Sequence, residues 1–99
     1  MLYLIMWDDV EDSLPRRMAS RDDHLSRVEV LKNEGRLVVG GPFPAIDSED
    51  PGDAGFTGSL IIAEFPSQQA AQDWIDADPY AEAGVFEKAS VRPFKKVVP

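Results

Sequence analysis

The 99-residue sequence has no cysteine, a single histidine, and 10 basic side chains against 18 acidic ones. Without cysteine there is no disulfide, no thiolate metal site and no thiol nucleophile, and the chain suits a reducing compartment. The formal net charge of −8 and a pI near 4.4 argue against nucleic acid and anionic membrane as partners. No apolar run approaches membrane-spanning length, and the N-terminal MLYLIMWDDV turns acidic too soon for a signal peptide. A cytoplasmic location is the expectation. Nucleotide, flavin and phosphate-loop motifs are absent, so no cofactor is expected. There is no internal repeat, low-complexity tract or linker, and residues 1–99 read as one domain.

What is present centres on one helix, from Arg16 to Gly35. Leu25, Val28 and Leu31 recur at helical spacing, and Met18 extends the stripe toward the N-terminus. The lone His24 lies four residues before Val28 and seven before Leu31, on the edge of that stripe. Arg17, Ser20 and Arg21 stack on the same edge. An imidazole turned toward a core, with a hydroxyl and guanidinium groups beside it, is the one clear chemical constellation in the chain. Its bland alternative is a hydrogen-bonded core histidine. Ser20 has its own alternative, a mid-helix hydroxyl bonding back to the Arg16 carbonyl. Asp8 to Ser13 reads as an acidic loop, Ser13 as the helix cap, Pro15 as its opening, and Gly35 as its left-handed stop.

Met1 to Trp7 is apolar on both alternating faces, as in a central strand. Arg36 to Phe43 forms a second strand whose Gly40-Gly41-Pro42 centre suggests a bulge or a close approach to the backbone. At least one of these glycines is expected to occupy a conformation or a space that a Cβ cannot share. Ala45 to Thr57 is a solvated hairpin connection. Its Asp47, Glu49, Asp50 and Asp53 do not match calcium-loop spacing, so no metal is expected. Gly58 to Phe65 is a third strand, antiparallel to the second. Ser67 caps a second helix, SQQAAQDWIDAD, with Ala70 or Ala71, Trp74 and Ile75 facing inward. Asp78 falls four residues after Trp74 on that side, although Asp78-Pro79 is also a favoured opening pair for a short turn at Tyr80. Val85 to Val98 completes the pattern as a last strand, with Pro93 at an edge or bulge.

The order β-α-β-β-α-β predicts an α+β fold, the ferredoxin-like plait: a four-stranded antiparallel sheet with two helices on one face. Its other face would be uncovered and apolar. A homodimer paired sheet to sheet, through Tyr3, Ile5 or their alternates, would bury it.

The chain resembles the YciI-like proteins of the YCII-related domain family along essentially its whole length. The matching stretches are MLYLI, R-x-x-HL at Arg21 to Leu25, EGRLVVGGPFPAIDSEDPGDAGFTGS from Glu34, AEF at Ala63, DADPYAEAGV from Asp76, and VRPFKKV near the end. The resemblance implies a dimeric α+β barrel and an active site built on a histidine and an aspartate, which map to His24 and Asp78. It also implies that some relatives act on small cyclic or aromatic compounds, including by dehydrochlorinase-type chemistry. A neutral imidazole with a carboxylate partner suits general acid–base work near pH 7. Arg17 or Arg21 would hold an anionic substrate or a developing enolate, with Ser20 beside them and Gly40, Gly41 and Pro42 at the pocket floor. Two function classes follow. One is a cofactor-independent lyase, isomerase or hydrolase-like enzyme; a narrower variant makes His24 a nucleophile that accepts a phosphate. The other is a non-catalytic binder of a small ligand, or an accessory dimer, whose His–Asp pair is structural.

Overall fold

Alternation along the first strand divides the molecule into its two sides. In a computed structural model describing residues 1–99, β1 spans Leu2–Asp9, and its odd positions Tyr3, Ile5 and Trp7 are buried against the helices. Its even positions Leu2, Leu4 and Met6 point to the opposite face. The remaining elements are α1 (Leu14–Asn33), β2 (Leu37–Pro44), a 3₁₀ turn at Gly52–Ala54, β3 (Phe56–Glu64), α2 (Gln68–Asp76), α3 (Pro79–Glu82) and β4 (Phe86–Phe94). The strands form one antiparallel sheet in the order β2-β3-β1-β4. This is the ferredoxin-like plait expected from the element order, with β1 central and β4 at an edge where Pro93 removes no interior ladder bond. No helix is long and apolar enough to cross a membrane.

The boundaries follow local chemistry. Gly35 has φ +73° and ends α1, a turn that only a residue without a Cβ makes at no steric penalty. The Ser67 hydroxyl accepts from the Ala70 backbone N–H at 3.0 Å and caps α2, whose Ala71 and Ile75 are fully buried. Ser13 occupies the cap position of α1 but makes no side-chain cap; its hydroxyl turns back to Asp9 instead. Asp8 and Asp9 thus belong to β1 rather than to an acidic loop, and the last strand stops at Phe94, short of the expected Val98.

The core gathers Tyr3, Ile5 and Trp7 with Leu31, Ile61, Ala71, Ile75, Val85 and Phe86, and Trp7 stacks on Phe86 at 4.7 Å between ring centroids. Burying each large aliphatic or aromatic side chain contributes roughly 1.5–3 kcal/mol. Along α1 the inward positions are Arg17, His24 and Leu31, each seven residues apart, so two of the three buried positions of this helix are polar. Met18 and Leu25, expected in the apolar stripe, are exposed. They line a cavity between α1 and the sheet instead of meeting a packing partner.

Gly40 and Gly41 do not behave as expected. Neither has a left-handed backbone; a Cβ at Gly40 would make ordinary contacts at 3.6 Å and one at Gly41 would meet nothing. The constrained strand glycine is Gly58, opposite Asp8, where a Cβ would overlap the Trp7 carbonyl oxygen. A rigid backbone atom in a central strand cannot move aside cheaply. Gly58→Ala is expected to destabilise the protein by about 1–3 kcal/mol. Gly41→Ala should be neutral or stabilise by about 0.4–1 kcal/mol through the unfolded state. Urea unfolding midpoints of the two variants check this, and equal midpoints would refute it.

Candidate active site

Two buried carboxylates organise the site, one at each end. The Asp78 side chain is fully buried, at the junction of α2 and α3. One of its oxygens, Oδ1, accepts from the Tyr80 backbone N–H at 2.9 Å and caps α3. The same Oδ1 lies 2.8 Å from His24 Nδ1, while Oδ2 accepts from Arg27 Nη1 at 2.9 Å. Asp78 thus caps α3 and contacts His24 through the same oxygen. An ionised carboxylate only accepts, so His24 Nδ1 must carry the proton and Nε2 is the free position of the neutral ring. The imidazole is gripped from its sides as well. Tyr80 stacks on it at 4.0 Å with 10° between planes, and Trp7 meets it edge-on at 6.1 Å.

His24 Nε2 has no hydrogen-bond partner in the protein, and no buried polar side-chain atom anywhere in the chain is left without one. Nε2 therefore opens onto the adjoining cavity, of about 240 Å³, which His24 helps to line. The volume is below the roughly 300–1,000 Å³ of drug-sized clefts and suits a single ring or a short chain. Trp7, Leu14, Phe56 and Ile61 make its apolar wall, and Gly40, Gly41 and Pro42 of β2 close one edge.

The second carboxylate is Asp9, which the sequence reading missed. Its side chain is 1% exposed and takes four hydrogen bonds. Arg17 Nε donates to Oδ2 and Nη2 to Oδ1 at 2.8 Å, Ser13 Oγ donates to Oδ2, and Trp7 Nε1 donates to Oδ1 at 3.1 Å. Arg17 Nη2 also donates to the Gly58 carbonyl at 3.0 Å and to Ser59 Oγ at 2.9 Å. Removing two charges from water costs several kcal/mol each, and only full hydrogen bonding of this kind offsets it. The signal for Asp9 lay in the strand period: it continues the inward parity of Tyr3, Ile5 and Trp7 by one more step.

The other expected site residues are distributed unevenly. Arg17 is on the cavity wall but buried and ion-paired. Arg21 is on the wall and exposed. Ser20 is off the wall and half-buried. Three groups were not anticipated: Ser59 and Tyr80 on the wall, and Arg27 behind Asp78 with its guanidinium 4.4 Å above the Trp74 ring. Burial pushes the Tyr80 phenol above its usual value of 10.0, and the Arg17 and Arg21 charges oppose this without overcoming it. The phenol therefore stays protonated through the neutral range.

The YCII-related domain model matches residues 1–95. The chain belongs to the YCII-related domain family. It is 60% identical over 97 residues to the protein YciI of Escherichia coli O6:H1 (strain CFT073), covering 98% of this chain and 99% of the relative. It is 52% identical, over the same shares of both chains, to an uncharacterised protein of Haemophilus influenzae. Among solved structures it is similar to the 5-chloro-2-hydroxyhydroquinone dehydrochlorinase TftG of Burkholderia phenoliruptrix, in complex with 2,5-dihydroxybenzoquinone. That match has 33% identity and a TM-score of 0.83, and covers 96% of this chain and 94% of that one. An antibiotic biosynthesis monooxygenase at 16% identity and a TM-score of 0.50 shares the fold alone.

Asp9→Ala would strand the Arg17 guanidinium in the protein interior. We expect it to destabilise the fold by about 3–5 kcal/mol, the usual penalty for removing one partner of a buried pair. Denaturant unfolding measures this, and a loss under about 1 kcal/mol, as for an exposed pair, would contradict it.

Proposed function

We propose that the protein is a cofactor-independent enzyme of lyase, isomerase or hydrolase type, in which His24 and Asp78 form an acid–base pair acting on a small anionic or cyclic substrate. The observation that carries this reading is the open Nε2 of an otherwise buried, fully oriented histidine. A structural histidine would have both nitrogens partnered. In the neutral ring Nε2 takes a proton from a C–H or O–H beside a carbonyl. The electron pair left behind passes to the carbonyl oxygen, or expels a leaving group as its anion. Asp78 stabilises the imidazolium that forms, and Arg17 and Arg21 attract the anion. Similarity to TftG, a dehydrochlorinase, supports an enzyme over a passive domain.

A second reading rests on the other duties of Asp78, which caps α3 and anchors Arg27 whatever His24 does. On that reading the protein binds a small ligand and the pair is structural. The two separate in a turnover assay: chloride release from 5-chloro-2-hydroxyhydroquinone, and solvent-deuterium exchange across a panel of small enolisable cyclic acids. The enzyme reading expects at least one substrate, with kcat falling about 10²–10⁴-fold in His24→Ala. Binding without turnover, with His24→Ala changing only affinity, would favour the second.

Assembly belongs to the same proposal, as does a cytoplasmic location. Leu4, Met6, Val39, Leu60 and Ile62 adjoin one another across β1, β3 and β2 on the sheet face that carries no helix. Ile62 is buried yet lies outside the main core cluster, and Met6 is 40% exposed. Tyr3 and Ile5 face the helices, so it is their alternates, Leu4 and Met6, that a second copy would cover. Sedimentation at micromolar concentration should give twice the chain mass of 10.9 kDa. Met6→Glu, at a position already open to water, should give the monomer. A wild-type monomer would refute the pairing.

A further inference from the structure

Three polar atoms of cavity-lining residues make no hydrogen bond of 3.5 Å or less to the protein: His24 Nε2, Tyr80 Oη and Arg17 Nη1, with the Arg17 guanidinium close enough to the Tyr80 hydroxyl to favour its ionised form. All three belong to residues more than nine-tenths buried, with exposures of 7%, 3% and 5%. Since no buried polar side-chain atom is left unbonded, Oη and Nη1 open onto the cavity just as Nε2 does. Arg17 lies beside Tyr80, with its guanidinium carbon 5.3 Å from the ring centroid. No carboxylate lines the cavity; Asp9 and Asp78 stand behind Arg17 and His24 respectively.

We propose that Arg17 Nη1 and the Tyr80 hydroxyl together seat one oxyanion of the ligand, so that the cavity takes a planar, single-ring anion of phenolate or enolate type. The fork geometry selects this class. Carboxylates and phosphates are bound best by the paired N–H groups of a guanidinium, and in Arg17 the Nε and Nη2 edge is already occupied by Asp9. What remains is one guanidinium nitrogen and one phenol, a donor set for a single oxygen. The protonated phenol can donate, and the Arg17 and Arg21 charges favour a negative partner. The aromatic walls, Trp7 and Phe56, suit a ring, and a net charge of −8 disfavours multiply charged ligands. Tyr80 would then be a substrate-contacting residue and Asp9 a positioning residue acting through Arg17. The inference takes its site from the acid–base reading of His24, but it concerns binding and does not require turnover.

The test uses three probes of similar size: 4-nitrophenol, 4-nitroanisole and 4-nitrobenzoate. Binding is measured by calorimetry at about pH 8.5, where the first probe is ionised and a reference imidazole of pKa about 6.5 is neutral. The phenolate should bind about tenfold or more tighter than the neutral ether and the carboxylate, as expected for hydrogen bonds to a charged group. Tyr80→Phe keeps the ring stacked on His24 and should remove most of that preference while leaving ether binding unchanged. Equal binding of phenolate and ether, tighter binding of the carboxylate, absence of phenolate binding at millimolar concentration, or an undiminished preference in Tyr80→Phe would each overturn the proposal. The wild-type comparison decides even if Tyr80→Phe fails to fold. His24→Ala should retain the phenolate preference; loss of turnover without loss of that preference separates the oxyanion seat from the acid–base role.

Discussion

The Asp78 carboxylate is the joint on which fold and site both depend. It is fully buried and accepts from three donors: the first turn of its own short helix, and His24 and Arg27 from α1. An unpaired carboxylate at that depth would be strongly unfavourable, so each donor is needed as much by the charge as the charge by the donor. A four-residue helix has no stability of its own. Its cap, and the Val85 N–H that donates to the Tyr80 carbonyl at 2.9 Å, hold Tyr80 flat against the imidazole. Removing the carboxylate would release the histidine, the aromatic ring beside it and the contact between α1 and α3 together.

Asp9 performs the matching task at the other end of the cavity. Its four donors are drawn from β1, α1 and the residue before α1, which ties the entrance of the helix to the sheet. The effect on charge is also matched. Both acids lie behind basic or imidazole groups, so a chain with net charge −8 presents arginine, histidine and phenol to the apolar cavity beside His24. A negative surface is compatible with cationic and hydrogen-bond-donating groups on the cavity wall because a buried charge in a low-dielectric wall acts at short range more strongly than exposed, screened charges act at long range.

The sheet separates the two kinds of apolar surface. Helices and cavity occupy one face, and the uncovered face of β1, β3 and β2 is apolar in its own right. The same two-residue period that turns Trp7 and Asp9 toward the site turns Leu4 and Met6 away from it, so the chemistry and the proposed self-association use alternate residues of one strand.

Much of this was legible in the residues. Apolar strand runs, helical spacing, Gly35 and the Ser67 cap are local signals with local causes, and the plait follows from their order. His24 faced inward because a histidine seven residues before Leu31 shares its side of a helix. The rest depended on distant chain segments. The histidine and its aspartate are 54 positions apart, and the family resemblance, not periodicity, paired them. Met18 and Leu25 fitted the stripe by spacing but line a cavity, because nothing in a helix's own sequence says whether the opposing surface will be filled. Gly40 and Gly41 invited a steric explanation that belongs to Gly58, whose partner is a carbonyl on another strand. By itself the sequence determined which elements form and which way His24 faces, because those are set within a few residues by backbone geometry. Only the tertiary structure decided that Asp9 takes the fork of Arg17, that Asp78 serves three donors, and that Nε2 is left open, because each requires charges from separate elements to be desolvated together.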